Sequence, residues 1–270
     1  MTQEKKPMSI PYFGLLVIVA SVFMGWVIYH FILGAAGNFE GGNNENKALA
    51  GNYLGIMYKG GVIVPLLIGI LLIVFTFAIE RFVTIRMARG SGAVEPFVRK
   101  VRGMLSNGQM DEAIAECDKQ RGSVANVIRS GLIKYGQVEK ETNLDKEAKV
   151  AAIQKSLEEA TALELPMLSK NLVIISTCAS ISTLVGLLGT VLGMIKAFAA
   201  LAQAGAPDAI GLANGISEAL INTMLGIGAA ALGIVFYNLF NNLIDSLTYG
   251  MDEAGFSIVQ TYSATHKERE

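Results

Sequence analysis

Four stretches of this chain carry no charged residue, and each is long enough to cross a lipid bilayer. Tyr12 to Leu33 holds 22 residues, Gly60 to Ile79 holds 20, Asn171 to Ile195 holds 25 and Ala219 to Ile244 holds 26. A bilayer core takes about 20 apolar residues per helix. In lipid only a helix satisfies its backbone hydrogen bonds within one segment, so four strands are not an alternative. These stretches predict an all-α, polytopic integral membrane protein with four transmembrane helices. Composition agrees: 52% of the 270 residues are hydrophobic, 17% are charged, and mean hydropathy is +0.45. A soluble domain is about 25% charged.

The first stretch has a rival reading. Lys5 and Lys6 before an apolar run resemble a signal peptide, with Gly34-Ala35-Ala36 as a cleavage site. A signal core has about 7–15 residues, however, and this run is longer. Trp26 and Tyr29 near its end also suit a membrane interface. A retained helix is the favoured expectation.

Charge sets the expected orientation. Residues 80–171 hold 15 of the 22 basic residues, the 34–59 loop holds two (Lys47 and Lys59), and the 202–217 link holds none. The positive-inside rule places 80–171 and both termini in the cytoplasm. The expected organisation is an anchor helix and short periplasmic loop over 1–59, then a second span over 60–80. A helical cytoplasmic domain over 81–170 follows, then a third span over 171–201. A tight periplasmic turn over 202–217, a fourth span over 218–244 and a cytoplasmic tail over 245–270 complete it. Gly37, Gly41 and Gly42 among four asparagines make the 34–59 loop read as flexible turns. In 81–170 the apolar spacing is helical, with breaks at Ser106-Asn107-Gly108 and Gly122-Ser123. Pro166 interrupts the helical pattern that leads from Asp145 into the third span. A kink is favoured there over a hinge.

Several function classes are excluded. A net charge of -1 argues against a generally basic nucleic-acid binder. Cys117 and Cys178 have no CxxC or Cys/His spacing, and His30 and His266 are the only histidines, so neither metal nor cofactor is expected. Gly186-Leu-Leu-Gly189 lies inside a span, not between a strand and a helix, so it is no phosphate loop. Nothing in the chain predicts an enzyme.

The last two spans carry the functional signal. Ser169, Ser176, Thr183, Thr190 and Ala197 recur every seven residues, and Gly186, Gly189 and Gly193 lie beside that stripe. Small residues let membrane helices approach closely, which is one reading. A narrow polar lining facing a channel or a partner helix is the other. In the fourth span Glu218 and Asn222 are one turn apart on one face, next to Thr223. A carboxylate at the membrane centre costs about 2.5–3.5 kcal/mol, so it is usually paired or functional. Glu218 is the sole carboxylate placed to lie within a transmembrane helix in this reading. A hydroxyl can pass a proton but cannot hold one as a charge, so the main carrier is expected on another chain.

These motifs resemble a known family. Gly186-Leu-Leu-Gly-Thr-Val-Leu-Gly-Met-Ile195, Gly215-Ile-Ser-Glu-Ala-Leu-Ile-Asn-Thr-Met-Leu-Gly226 and Tyr237-Asn238 are similar to the ExbB/TolQ/MotA proton-channel family, on its ExbB side. Glu80-Arg81 and Asp111-Glu112-Ala113 look like it too. The resemblance implies an inner-membrane energy transducer: a homo-pentameric ring around the helices of an ExbD-like single-span partner. That partner supplies an aspartate, and a TonB-like protein carries the work to the outer membrane. It also implies that Thr190 and Thr223 line the path and that Glu218 is the buried glutamate. Asn222, Thr183 and Ser176 are candidate proton-path or partner-facing residues beside them. The chain departs from the pattern in two places. Thr183 stands where the family usually has proline, and there is an extra N-terminal span. The 2+2 layout also occurs in MotA, which keeps a flagellar or gliding stator open; the motif around Glu218 and Tyr237-Asn238 favour ExbB or TolQ, and a passive scaffold is the blander alternative.

One pairing follows from depth. Lys196 is six residues outward of Thr190, about 9 Å, and Glu218 is five outward of Thr223, about 7.5 Å. If the threonines share a depth, the two charges do as well, and a Lys196–Glu218 pair would offset the cost of both. A snorkelling lysine is the alternative.

Overall fold

A computed structural model describes residues 11–202 and 208–265. Lys5, Lys6 and His266, each used in the expectations above, lie outside the described residues, as do 203–207 of the expected periplasmic turn. Among those described, the chain is helical and forms no strand; Phe39 and Ala48 make one isolated antiparallel bridge. Four helical stretches are long and apolar enough to cross a membrane, which makes this a multi-pass membrane protein. The fold divides into two compact units: Met1–Ile79 with Asn171–Tyr237, and Glu80–Lys170 with Asn238–Glu270.

The first unit gathers the apolar stretches. Helix α1 (Pro11–Val27) continues as a π-helical turn over Ile28–Leu33. Next come a short α2 (Tyr53–Tyr58), the first part of α3 (Val64–Arg89), α8 (Leu172–Leu201) and the first part of α9 (Ala209–Thr265). Tyr29, Leu33, Val64 and Ile221 form a buried cluster that ties α1, α3 and α9 together. Leu16, Phe23, Phe31, Val173, Leu184 and Leu220 are each more than 60% exposed, an apolar surface suited to lipid or to partner helices.

The 34–59 loop corrects the expectation of flexible turns. Asn38 Nδ2 donates to the carbonyls of Ile32 and Leu33 at 2.8 and 2.9 Å and so caps the π-helical turn. Asn52 Nδ2 donates to Asn38 Oδ1 at 3.0 Å, and the Asn52 side chain accepts the first amides of α2. Lys59 Nζ donates to the carbonyls of Asn44 and Glu45 at 2.9 and 3.0 Å. The asparagines that read as turn-formers hold the loop together through their amides.

The second unit holds the amphipathic helices: α4 (Val94–Ser106), α5 (Met110–Gln120), α6 (Gly122–Lys140), α7 (Lys146–Ser169) and the rest of α9. Its core takes Phe97, Val101, Cys117, Ile128, Ile153 and Tyr262 from five helices. Asp145 caps α7 by accepting the Ala148 amide at 2.7 Å. Arg81 is 2% exposed; it pairs with Glu80 and donates to the Met167 and Leu168 carbonyls at 3.2 Å. It thus satisfies the carbonyl end of α7, where no further turn can.

Two boundaries rest on single polar residues: the first falls at 170/171, as in the span limits above, and the second differs from the sequence reading. Helix α7 runs through Pro166 to Ser169, and the chain turns instead at Lys170 (extended) and Asn171, which is left-handed at φ 63°. Pro166 removes one hydrogen bond, but a left-handed residue ends the helix outright. Helix α9 begins at Ala209, so most of the expected 202–217 turn is helical. Asp208 starts it early: its Oδ1 accepts the amides of Ile210 and Gly211 at 3.0 and 2.9 Å.

Candidate functional site

The candidate site lies on α8 and α9, which meet along a seam of small residues. A Cβ on Gly226 would stand 2.7 Å from the Ser182 carbonyl, and one on Gly193 would stand 2.6 Å from the Ala219 nitrogen. Gly215 is as tight against Ala197, and Gly189 against Asn222. The glycines therefore serve close packing, and Ser182, fully buried, joins them although it is not on the seven-residue stripe.

Of the stripe, one hydroxyl reaches across. Thr190 Oγ1 and Thr223 Oγ1 hydrogen-bond to each other. Thr190 Oγ1 also lies 3.1 Å from the Gly186 carbonyl and 3.4 Å from that of Ala219, and Thr223 Oγ1 lies 3.2 Å from Ala219 O. Each hydroxyl has one proton. One threonine therefore donates to the other, which donates to a carbonyl. Thr183 and Ser176 do not join this pair. Thr183 is half-buried further along α8, and the Ser176 hydroxyl donates to Val173 of its own helix at 3.0 Å.

Beyond the threonines sit the charges. Lys196 Nζ is 2.6 Å from Glu218 Oε1. The Lys196 side chain is 57% exposed and that of Glu218 11%. The carboxylate is thus mostly enclosed by the chain, and the lysine lies at the open side of the pair, where it offsets the cost of the enclosed charge.

Asn222 is fully buried and brings in a third helix. Its Nδ2 donates to the Gly60 carbonyl at 2.9 Å, while its Oδ1 has no hydrogen-bond partner among the described residues. The next residue, Gly61, has φ +77°, and a Cβ there would land on the Glu218 carboxylate. Gly60-Gly61 was missed from sequence as part of the site. A Gly-Gly pair before an apolar run marks a turn, but nothing local says what the turn packs against.

The arrangement provides two joined hydroxyls, a buried amide and a withdrawn carboxylate paired with a lysine, on two closely packed membrane helices. This defines a class: polytopic helical membrane proteins that hold polar and charged side chains together inside an apolar bundle. Residues 121–253 match the family described as the MotA/TolQ/ExbB proton channel family. That segment, which holds the whole candidate site except Gly60-Gly61, supports membership of the MotA/TolQ/ExbB family, close to ExbB. It is 40% identical over 90 residues to a putative biopolymer transport protein, ExbB-like 3, of Synechocystis, covering 33% of this chain and 43% of that protein. It is 30% identical over 118 residues to the Tol-Pal system protein TolQ of Pseudomonas aeruginosa, covering 44% and 51%. To the biopolymer transport protein ExbB of Pseudomonas putida it is 26% identical over 164 residues, covering 60% and 50%. The chain spans about half the length, or less, of these relatives.

Proposed function

We propose that this chain is the multi-span subunit of a proton-driven motor in the bacterial inner membrane, with both termini cytoplasmic. In this reading several copies, five by family resemblance, ring the single-span helix of an ExbD-like partner. Protons pass along the polar face of α8 and α9, and a TonB-like protein takes the work to outer-membrane transport. The observation that carries it is the mutual hydrogen bond of Thr190 and Thr223, with the Lys196–Glu218 pair beyond it on the same two helices. These groups relay a proton but include no second carboxylate, so a partner acid completes the path. The TolQ relative favours a second reading with the same chemistry and another partner set. The test is co-expression with the product of a neighbouring gene that encodes a single span with an intramembrane aspartate. Native mass gives the stoichiometry, and proton flux in vesicles should need both chains and fall with Glu218→Gln. Flux from this chain alone would point to a stand-alone channel. No flux and no complex would leave a scaffold.

A further inference from the structure

Glu218 is 9% exposed, and it lines a cleft of about 360 Å³ in the first unit. One wall comes from α9, where Asn214, Ser217 and Glu218 share a face at helical spacing. The other comes from the folded 34–59 loop, which contributes Glu45, Lys47 and Lys59. That wall is built rather than loose. The Phe39–Ala48 bridge, the Glu40 amide on the Lys47 carbonyl at 2.9 Å and the Lys59 ammonium on two loop carbonyls all fix it. Partial burial lowers the Lys59 pKa, and Glu45 acts against that shift.

We infer that this cleft is the aqueous entrance through which solvent protons reach the Glu218 carboxylate, an inference that rests on the proton-path reading above. A polar site of about 10–15 Å³ already holds a water, so the cleft has room for several. Seven of its nine lining residues have polar side chains, with both signs of charge among them, beside Ala48 and Ile56; water and hydronium find partners there. The Oε1 side of Glu218 is already taken, since Gly61 packs against it and Lys196 bonds to it. A hydronium in the cleft gives its proton to the carboxylate and leaves as water, and the Lys196 ammonium keeps its charge without an ionised partner. The loop after the first span is therefore part of the path, a role outside the segment of family similarity.

The test uses the full chain with its partner, carrying Cys117→Ala and Cys178→Ser. Asn214→Cys and Lys47→Cys are introduced singly, with Tyr53→Cys as a control that is 79% exposed and away from the cleft. Each is modified with a charged methanethiosulfonate reagent. The readouts are proton flux and the rate at which a water-soluble carbodiimide modifies Glu218, followed by mass spectrometry. Modification at Asn214→Cys or Lys47→Cys is expected to slow Glu218 labelling by an order of magnitude and to depress flux, while the control changes neither. Glu218 labelling at the unmodified rate in both cleft variants would overturn the entrance. Slowed labelling with undiminished flux would keep the cleft as the route to Glu218 and overturn the proton-path reading instead.

Discussion

At the scale of single residues, the threonine pair makes the sharpest prediction. Valine keeps the shape of threonine and removes the hydroxyl. Thr190→Val and Thr223→Val should each abolish energy-coupled transport while insertion and assembly stay normal, as read by membrane fractionation and native mass. Normal transport from both would reduce the hydroxyls to packing. The ion pair predicts a reversal. Lys196→Glu and Glu218→Lys each place like charges at 2.6 Å spacing and should impair assembly, and the double swap should assemble better than either. Equal or worse assembly in the double swap would remove the pairing as a structural contribution. These residues were legible because each sits at a fixed helical offset from a neighbour that chemistry singles out. The Asn222–Gly60 bond was not, because its partners are 162 positions apart and one of them is a backbone carbonyl.

For the elements, hydrophobic runs placed all four apolar helices, yet their ends depended on single polar residues. Charge-free length suggested that α9 starts near Glu218, but the Asp208 cap moves its start to Ala209. Proline drew attention to position 166, whereas the turn occurs at Asn171, a residue able to take the left-handed conformation. This makes an opposed pair of expectations for thermal unfolding in detergent. Asn171→Val should destabilise by about 1–2 kcal/mol, since a β-branched residue pays the full left-handed cost. Asn171→Gly should cost less than Asn171→Val, because glycine takes the left-handed conformation freely. Pro166→Ala should be neutral or stabilising, because the helix already continues through that position.

For the whole molecule, the positive-inside argument makes a labelling prediction. In intact cells an impermeant thiol reagent should reach Asn43→Cys but not Asn107→Cys, both exposed positions; labelling of the second from outside would invert the topology. Ser123 would be a poor probe because it is buried. The native Cys117 should stay silent in this assay. Burial, reinforced by Asp118, pushes its thiol up to about 12, so at neutral pH it is protonated as well as shielded. Maleimide uptake at Cys117 should appear only on denaturation, and rapid uptake by the folded protein would mean that the α4–α6 core opens. The membrane class was readable from the sequence because lipid leaves so few options for a backbone. The folded 34–59 loop was not, because composition reports that asparagine favours turns without showing which carbonyls its amide will find.

The glycine seam between α8 and α9 has a mechanical consequence. Where even a methyl group would strike backbone, neither helix can slide or roll past the other without breaking contact along its length. The pair behaves as a single strut. In the proposed motor the slip would then fall elsewhere, and the candidates are the outward faces carrying Leu184, Val191, Leu220 and Ile227. Those long aliphatic side chains can change rotamer as a neighbour passes and re-form equivalent contacts, acting as a bearing surface with the Thr190–Thr223 pair fixed behind it.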